Sequence, residues 1–403
     1  MKKLLAGLIV ISAILLLGIY IVGERTETEI NRVFAQGSQQ SQVSKLISYD
    51  KQFLKATAIS QVTLMADGER PIVFRVTSSI RHYPYKAVIK NKIRIVDPIL
   101  RKKAEDYFAN ENWLISTEEI NLFAQLTGKL QLLAGRYNHA GEQFRTESLT
   151  LDYQVSLPDY SGSFSANWGG MDVQTDKTKV NLTSIKLKSD FTSLPIAQEY
   201  DYFLQIAQVI IDQDNIKSQF QDVELQGNSR LGQQENTIDT DNEWKVALAH
   251  FEGASERVFT DNHLKLNLKG LYAPALTFLS NASGDPKKIA QALSALMAHG
   301  AELSLVKLSS QAPWGEIRGD MQLSLQQGSN LVKIIENPFM LLDYTSGNVI
   351  LLLPEALLQL PALADILRAG LQTGLLKRED QMLSLDTQLE QGELVVNGRV
   401  IPL

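Results

Sequence analysis

From Tyr49 onward the chain keeps returning to one pattern: apolar residues at every second position, closed by Gly or Asn-Gly. It is clearest in "KATAISQVTLMA", "RPIVFRVTSSI", "ESLTLDYQVSL", "KVNLTSIKLKSDF", "HLKLNLKGLY" and "GELVVNGRVIPL". Alternation of period two puts successive side chains on opposite faces of an extended strand, and Asn-Gly turns such strands back as hairpins. The spacing therefore predicts antiparallel meanders. No fixed period links the segments, which excludes a solenoid or a propeller. A chain of 403 residues needs roughly two to three folding units.

Helices interrupt the strands. "DPILRKKAEDYFAN" has Asp97 as cap and Pro98 in the first turn. In "SGDPKKIAQALSALMAHG", Asp285 caps, Pro286 starts and Gly300 stops a helix whose apolar face is Ile289, Leu293, Leu296 and Met297. Leu353 to Gly374 reads as one long apolar helix kinked at Pro361. "YDYFLQIAQVIIDQ" fits helix or strand and is taken as strand.

A second feature sets the address. Lys2 and Lys3 precede 19 residues, Leu4 to Val22, in which Ser12 and the Tyr20 hydroxyl are the only polar side-chain groups. As a helix this run spans about 28 Å, close to the hydrocarbon thickness of a bilayer. The residues assigned to this membrane anchor are Leu4, Leu8, Ile11, Leu15, Ile19 and Val22. A cleaved signal peptide is shorter and ends in a small-x-small site, whereas cleavage after Gly23 would put Ile21 at the −3 position. The reading is a retained anchor, its N-terminus cytoplasmic because basic residues stay inside, with the bulk of the chain in the periplasm. The expected class is α+β: one transmembrane helix, then a mostly antiparallel β-rich exported region with several packed helices. The expected boundaries are an anchor over 1–23, a polar stalk or short helix over 24–48, a β-rich domain over 49–240 and an α+β domain over 241–403. The last boundary follows the polar, turn-like "GQQENTIDTDNEW".

Cysteine is absent, which removes disulfides, thiolate metal sites and cysteine nucleophiles. The net charge of −6 provides no basic field for nucleic acid. His82, His139, His250, His263 and His299 stand singly, without metal-ligand spacing. No nucleophile elbow, phosphate loop or dinucleotide fingerprint occurs, so no catalytic residue, metal or cofactor is assigned. "WGG" at Trp168 to Gly170 reads as a turn with a packed indole. One charge feature stands out. Arg81, Lys86, Lys90, Lys92, Arg94, Arg101, Lys102 and Lys103 are opposed only by Asp97, a local net charge of +7. This stretch is either a solvated face or a contact for anionic groups, such as lipid headgroups or an acidic partner.

Several segments together resemble the YdgA-like family, bacterial inner-membrane-anchored proteins grouped by a domain of unknown function. The apolar run is followed by the acidic "TETEI". "SYDKQFLKATAISQVTL", beginning around Tyr49, is similar to a Tyr-basic-Gly-aromatic-x-Ser segment, with Gln52 in place of the glycine. "RHYPY", with His82 and Pro84, is similar to a His-Gly-Pro-aromatic stretch in which Tyr83 replaces the glycine. "ANWGGMDVQTD", "LTSIKLKSDFTS" and the Asn397-Gly398 ending complete the likeness, which runs over nearly the whole chain. The resemblance implies a periplasm-facing, non-enzymatic inner-membrane protein and carries over no catalytic residue.

Two roles follow as expectations. One is an envelope binding or scaffold protein, acting through another envelope protein or a second copy in a homodimer. The other is a carrier or sensor of a lipid or other hydrophobic ligand, held in an apolar groove between sheet and helices.

Overall fold

A computed structural model describes residues 2–36, 42–64, 71–139, 141–192, 199–214, 216–253, 256–280, 282, 285–329, 334, 337, 340–390 and 392–401. The side chains of residues 2–13, 33, 35, 36, 42, 43 and 139 lie outside that set. As the alternation predicts, the chain is mostly antiparallel sheet with helices between strands. It divides into two compact units, Met1–Asp176 with Ser184–Pro195, and Lys177–Thr183 with Ile196–Leu403.

The first unit opens with a long helix, α1 (Lys2–Gln36), and continues as a meander. Its strands are β1 (Gln42–Lys51), β2 (Lys55–Leu64), β3 (Ile72–His82), β4 (Lys86–Ile95), β5 (Leu114–Asn121) and β6 (Gln125–Leu132). Each pairs antiparallel with the next. Between β4 and β5 lies α2 (Pro98–Phe108), with the Asp97 carboxylate accepting from the amides of Ile99 and Leu100. β7 (Gly135–His139), β8 (Glu142–Thr146), β9 (Leu149–Ser156) and β10 (Ser161–Gln174) follow. β9 pairs with β6, and β10 pairs with both β9 and β8. The core lies on one face of β2 to β5, where Ala56, Ala58, Ile80, Ala87, Ile89 and Ile120 are buried with Val22 of α1. Three of the six sheet residues are alanines. Their small side chains leave room for a helix to lie close to the sheet.

After β11 (Thr178–Thr192), the second unit is built on long strands. β12 (Glu199–Gln213), β13 (Ile216–Leu231), β14 (Thr237–Glu252) and β15 (Arg257–Tyr272) each have 15 or 16 residues, about 50 Å of extended chain. Then come α3 (Ala273–Ser280), α4 (Pro286–His299), β16 (Ala301–Ala312), β17 (Gly315–Leu325), α5 (Met340–Tyr344) and β18 (Thr345–Pro354). A 3₁₀ turn (Glu355–Gln359), α6 (Pro361–Thr373), β19 (Lys377–Glu379), β20 (Met382–Glu390), β21 (Glu393–Val396) and β22 (Arg399–Ile401) finish the chain. α4 has the expected limits, with Asp285 accepting from the Lys287 amide and Gly300 at its end. The segment 199–213 is strand, as read.

Four expectations change. The polar stretch taken as a boundary near 240 is the start of β14, paired on both sides by β13 and β15. Asp241 and Glu243 stand opposite Asn228 and Gln226 of β13 and Asn267 and Lys265 of β15, so polarity there belongs to a paired strand and not to a linker. "WGG" lies inside β10, not in a turn. Gly170, at φ 123°, bends the strand where it passes from β9 to β8. Pro361 does not kink a long helix; it begins α6, and the residues before it form β18 and the 3₁₀ turn. Finally, of the stalk or short helix expected over 24–48, residues 24–36 are helical but continue α1, with Thr26, Glu29 and Ile30 turned to the sheet, and β1 starts already at Gln42.

Candidate functional site

The seat of α1 gathers residues that are far apart in sequence. Val22, Thr26 and Glu29 face the sheet and are buried, and Ile30 packs beside them. Val22, the last of the assigned anchor residues, is thus a core residue of the first unit. Two glycines permit the close approach. A Cβ on Gly18 would stand 2.3 Å from the Pro84 carbonyl oxygen, and one on Gly23 would stand 3.2 Å from Nδ1 of His82. His82 is 4% exposed, its Nδ1 lies 3.3 Å from the Phe53 carbonyl oxygen, and its Nε2 has no hydrogen-bond partner among the described residues. Burial holds its pKa below the usual imidazole value, which keeps the ring neutral at neutral pH. Tyr49 lies on the same buried side; burial, with the Glu27 charge, pushes its phenol up to about 12.

Ion pairs clamp the rim. Lys51 Nζ reaches Glu24 Oε1 at 2.7 Å and Glu27 Oε2 at 2.9 Å. Burial lowers the Lys51 pKa, but its bonds to Glu24 and Glu27 outweigh this and leave it raised. Arg32 lies 2.8 Å from Glu29, donates to the Leu157 carbonyl and stands over the Tyr160 ring. Tyr49, His82 and Pro84, which carried the family likeness, therefore converge on the seat of one helix.

The closing hairpin is an equally specific structure. Asn397 and Gly398 sit at φ 51° and 77°, the turn that Asn-Gly predicts between β21 and β22. Asn397 is also buried, which its turn role did not foretell. Its Nδ2 donates to the carbonyls of Gly374 (3.1 Å) and Leu375 (3.0 Å), while its Oδ1 accepts from the Asp386 amide (3.1 Å). The hairpin is thereby tied to β20 and to the end of α6.

In the second unit the apolar residues share one sheet face. Leu225, Trp244 and Leu264 stand in register on β13, β14 and β15, and Leu266 pairs with Leu305 of β16. The alternation changes phase along the strands. On β13 it steps from Phe220 to Val223, and on β14 from Val246 to Ala249. At that level Asp222 and Asp261 have positive φ, and the ladders skip the Asp222–Ala247 and Ala247–Asp261 pairs. The irregularity returns the apolar side chains to the same face. A chain of ring contacts, Phe220–Phe251–Phe259–Trp314 with centroids 5.7 to 6.0 Å apart, follows. It ends against the cluster of Leu357, Leu367 and Leu383 under α6. Between β12 and β17 the large residues of this face, such as Leu225, Trp244, Leu264 and Leu305, are only half-buried.

A family model for bacterial proteins of unknown function, DUF945, matches residues 1–403. The chain belongs to this family. No curated protein and no solved structure matches it.

The basic stretch is split by the fold of this DUF945 chain. Lys86, Lys90, Lys92 and Arg94 alternate onto the face of β4 opposite α1, and β3 adds Arg81 to that face. Register also brings Arg75 opposite Arg94 and Lys55 opposite Arg81, two residues the sequence stretch does not include. Lys86 pairs with Glu119 (2.8 Å) and Arg94 with Glu111 (3.2 Å). Arg101, Lys102 and Lys103 belong to α2, where Lys102 pairs with Asp106. Of the anchor residues, Leu15 is exposed and Ile19 half-buried, while Leu4, Leu8 and Ile11 lie outside the described side chains. Among the described residues, no helix is long and apolar enough to cross a membrane.

The histidines stay apart. His263 Nε2 lies 2.6 Å from Glu243 Oε1, with Lys245 3.0 Å from the same oxygen. Burial opposes the Glu243 charge, yet its bonds to Lys245, Gln226 and His263 hold its carboxyl down at about 2. Ser309 of β16 stands opposite His263 in the ladder, and among the described residues no hydroxyl is hydrogen-bonded to the His263 ring. His250 contacts Glu252 and Glu256, and His299 stacks on Tyr272; His139 lies outside the described side chains. Among the described residues no group of three acidic or histidine ligands could hold a metal. A polar cleft of about 550 Å³ is lined by Thr237, Asp239, Lys269, His299, Glu302 and Ser324.

Proposed function

We propose that the chain is a YdgA-like, single-pass inner-membrane protein. It faces the periplasm and holds a lipid or other hydrophobic ligand on the apolar sheet face of its second unit, without catalysing a reaction. The observation that carries this reading is the half-buried apolar face that runs from β12 to β17, about 50 Å along the strands from β12 to β15. Covering the apolar surface that these residues still expose is favourable, at roughly 25 cal/mol per Å², which gives an apolar ligand a driving force to bind there. The 19-residue apolar run behind Lys2 and Lys3 supports the anchor and its orientation.

The test is native mass spectrometry of the full chain released gently from membranes, together with Trp244 emission during titration with phospholipid in mixed micelles. Co-purifying lipid, and a blue shift lost in Trp244→Phe, are expected, and Leu225→Arg should abolish both. A chain that carries no apolar species and shows no shift overturns the reading. If it is instead dimeric, and Leu225→Arg makes it monomeric, the face serves the scaffold role by self-association.

A further inference from the structure

The strand turns of the first unit that lie beside Pro84 share one edge of the meander. The β1–β2 turn carries Phe53 and Leu54, the β3–β4 turn Tyr83 and Tyr85, and the β5–β6 turn Phe123. They are tied to one another: the His82 amide donates to Leu54, and the Leu122 amide donates to Tyr85. All five side chains are exposed, from 41% for Tyr83 to 78% for Phe123. Large apolar side chains gathered on turn tips, where polar residues are usual, call for a partner surface.

The helix indicates which surface. α1 leaves the sheet at Gly18, against the backbone of Pro84 in the middle turn. Ile14, Leu15, Leu16 and Leu17, next toward the N-terminus, are 46–63% exposed. The middle one of these turns therefore lies against the helix where its apolar part departs, with the other two beside it on the same edge. Behind them stand cations: Lys55 follows Leu54, Arg81 is its cross-strand partner, and Lys86 lies 5.8 Å from the Tyr85 ring. Aromatic residues at one level with Lys and Arg just behind them match the order of a bilayer interface, ring at the acyl boundary and ammonium among phosphates.

We propose that this edge is a membrane-interface collar. Phe53, Leu54, Tyr83, Tyr85 and Phe123 insert at the headgroup level beside α1, with Lys55 and Arg81 against anionic headgroups, so that the first unit lies on the bilayer. The proposal rests on the anchor reading above. It adds that the exported part touches lipid and does not hang from a free tether.

The absence of cysteine makes the test direct. Single cysteines are placed in the full chain by Phe123→Cys, Phe53→Cys, Leu15→Cys and, at the far end of β4, Ile99→Cys. Each is labelled with an environment-sensitive fluorophore and reconstituted in vesicles of phosphatidylethanolamine and phosphatidylglycerol. Spin-labelled lipids then quench by depth. Loss of emission at 123 and 53 with shallow quenchers, at 15 with quenchers about 5 Å deeper, and none at 99 is the expected result. Quenching at 15 without quenching at 53 or 123 leaves the anchor standing and overturns the collar. Quenching at none of the four overturns both. A second variant, Phe53→Ser with Phe123→Ser, should restore access of an aqueous quencher to a label at Tyr85→Cys, and unchanged access also overturns the collar.

Discussion

Gly23 of α1 lies against the imidazole of His82, so close that a Cβ at position 23 would stand 3.2 Å from Nδ1. The contact joins the end of the apolar run to the "RHYPY" turn 59 positions later. Side chains at 18 or 23 should unseat the helix. Gly23→Leu is expected to cost about 1–3 kcal/mol by overpacking, and Gly18→Leu at least as much because it meets rigid backbone. Urea unfolding of the detergent-solubilised chain measures both, and wild-type stability in both variants would refute the seat.

His82 makes the same contact sensitive to acid. Its folded-state pKa lies below the ordinary 6.5 because the ring is buried, with Lys51 nearby as a further opposing charge. Below that pH the unfolded chain binds a proton that the folded one resists. Stability from this group is therefore complete above about pH 6.5 and lost as pH falls from there through the lowered value. The melting temperature should drop on acidification from pH 7 to 5.5, and His82→Gln should flatten that slope. A slope unaltered by the substitution assigns the acid sensitivity elsewhere.

The closing hairpin separates two effects that Asn-Gly usually merges. Asn397→Ala removes three hydrogen bonds from a buried position, and about 2 kcal/mol or more should be lost. Gly398→Ala adds a Cβ to open space at φ 77°, so only backbone strain of about 1 kcal/mol applies. Deleting Gly392–Leu403 removes the buried Val396 as well and should exceed both. Thermal melts that rank Gly398→Ala as the more damaging substitution would contradict this arrangement.

Glu243 should report on the polar face of the second unit. Its carboxyl lies near 2 because its bonds to Lys245, Gln226 and His263 outweigh burial. Its contribution is present above 4.5 and disappears as pH falls toward 2. Glu243→Gln should cost on the order of 2 kcal/mol at pH 7 and much less at pH 3. Equal destabilisation at both pH values would show that the loss is packing, not charge.

Much of the local structure was written in residues next to one another. Asp97, Asp285 and Gly300 mark helix ends because capping needs only a side-chain oxygen or a positive φ within one turn. Asn397-Gly398 specifies its turn for the same reason. Pro361 was misread because a proline suits both a kink and a first turn, and only the pairing of β18 with β20 decides between them. The polar start of β14 was misread because polarity alone does not distinguish a solvated sheet face from a linker.

What the sequence by itself determined is therefore the β-rich class, the helix caps, the closing turn and the apolar N-terminal run, all set by periodicity and near-neighbour chemistry. Tertiary structure alone decided which face each strand buries, since one irregularity at Asp222 and Asp261 reverses the parity of every residue beyond it. It also decided that Gly18, Gly23, Tyr49, His82 and Pro84 form one seat. Close approach of a helix to a sheet depends on long-range register, and no local pattern encodes which distant residues that register will bring together.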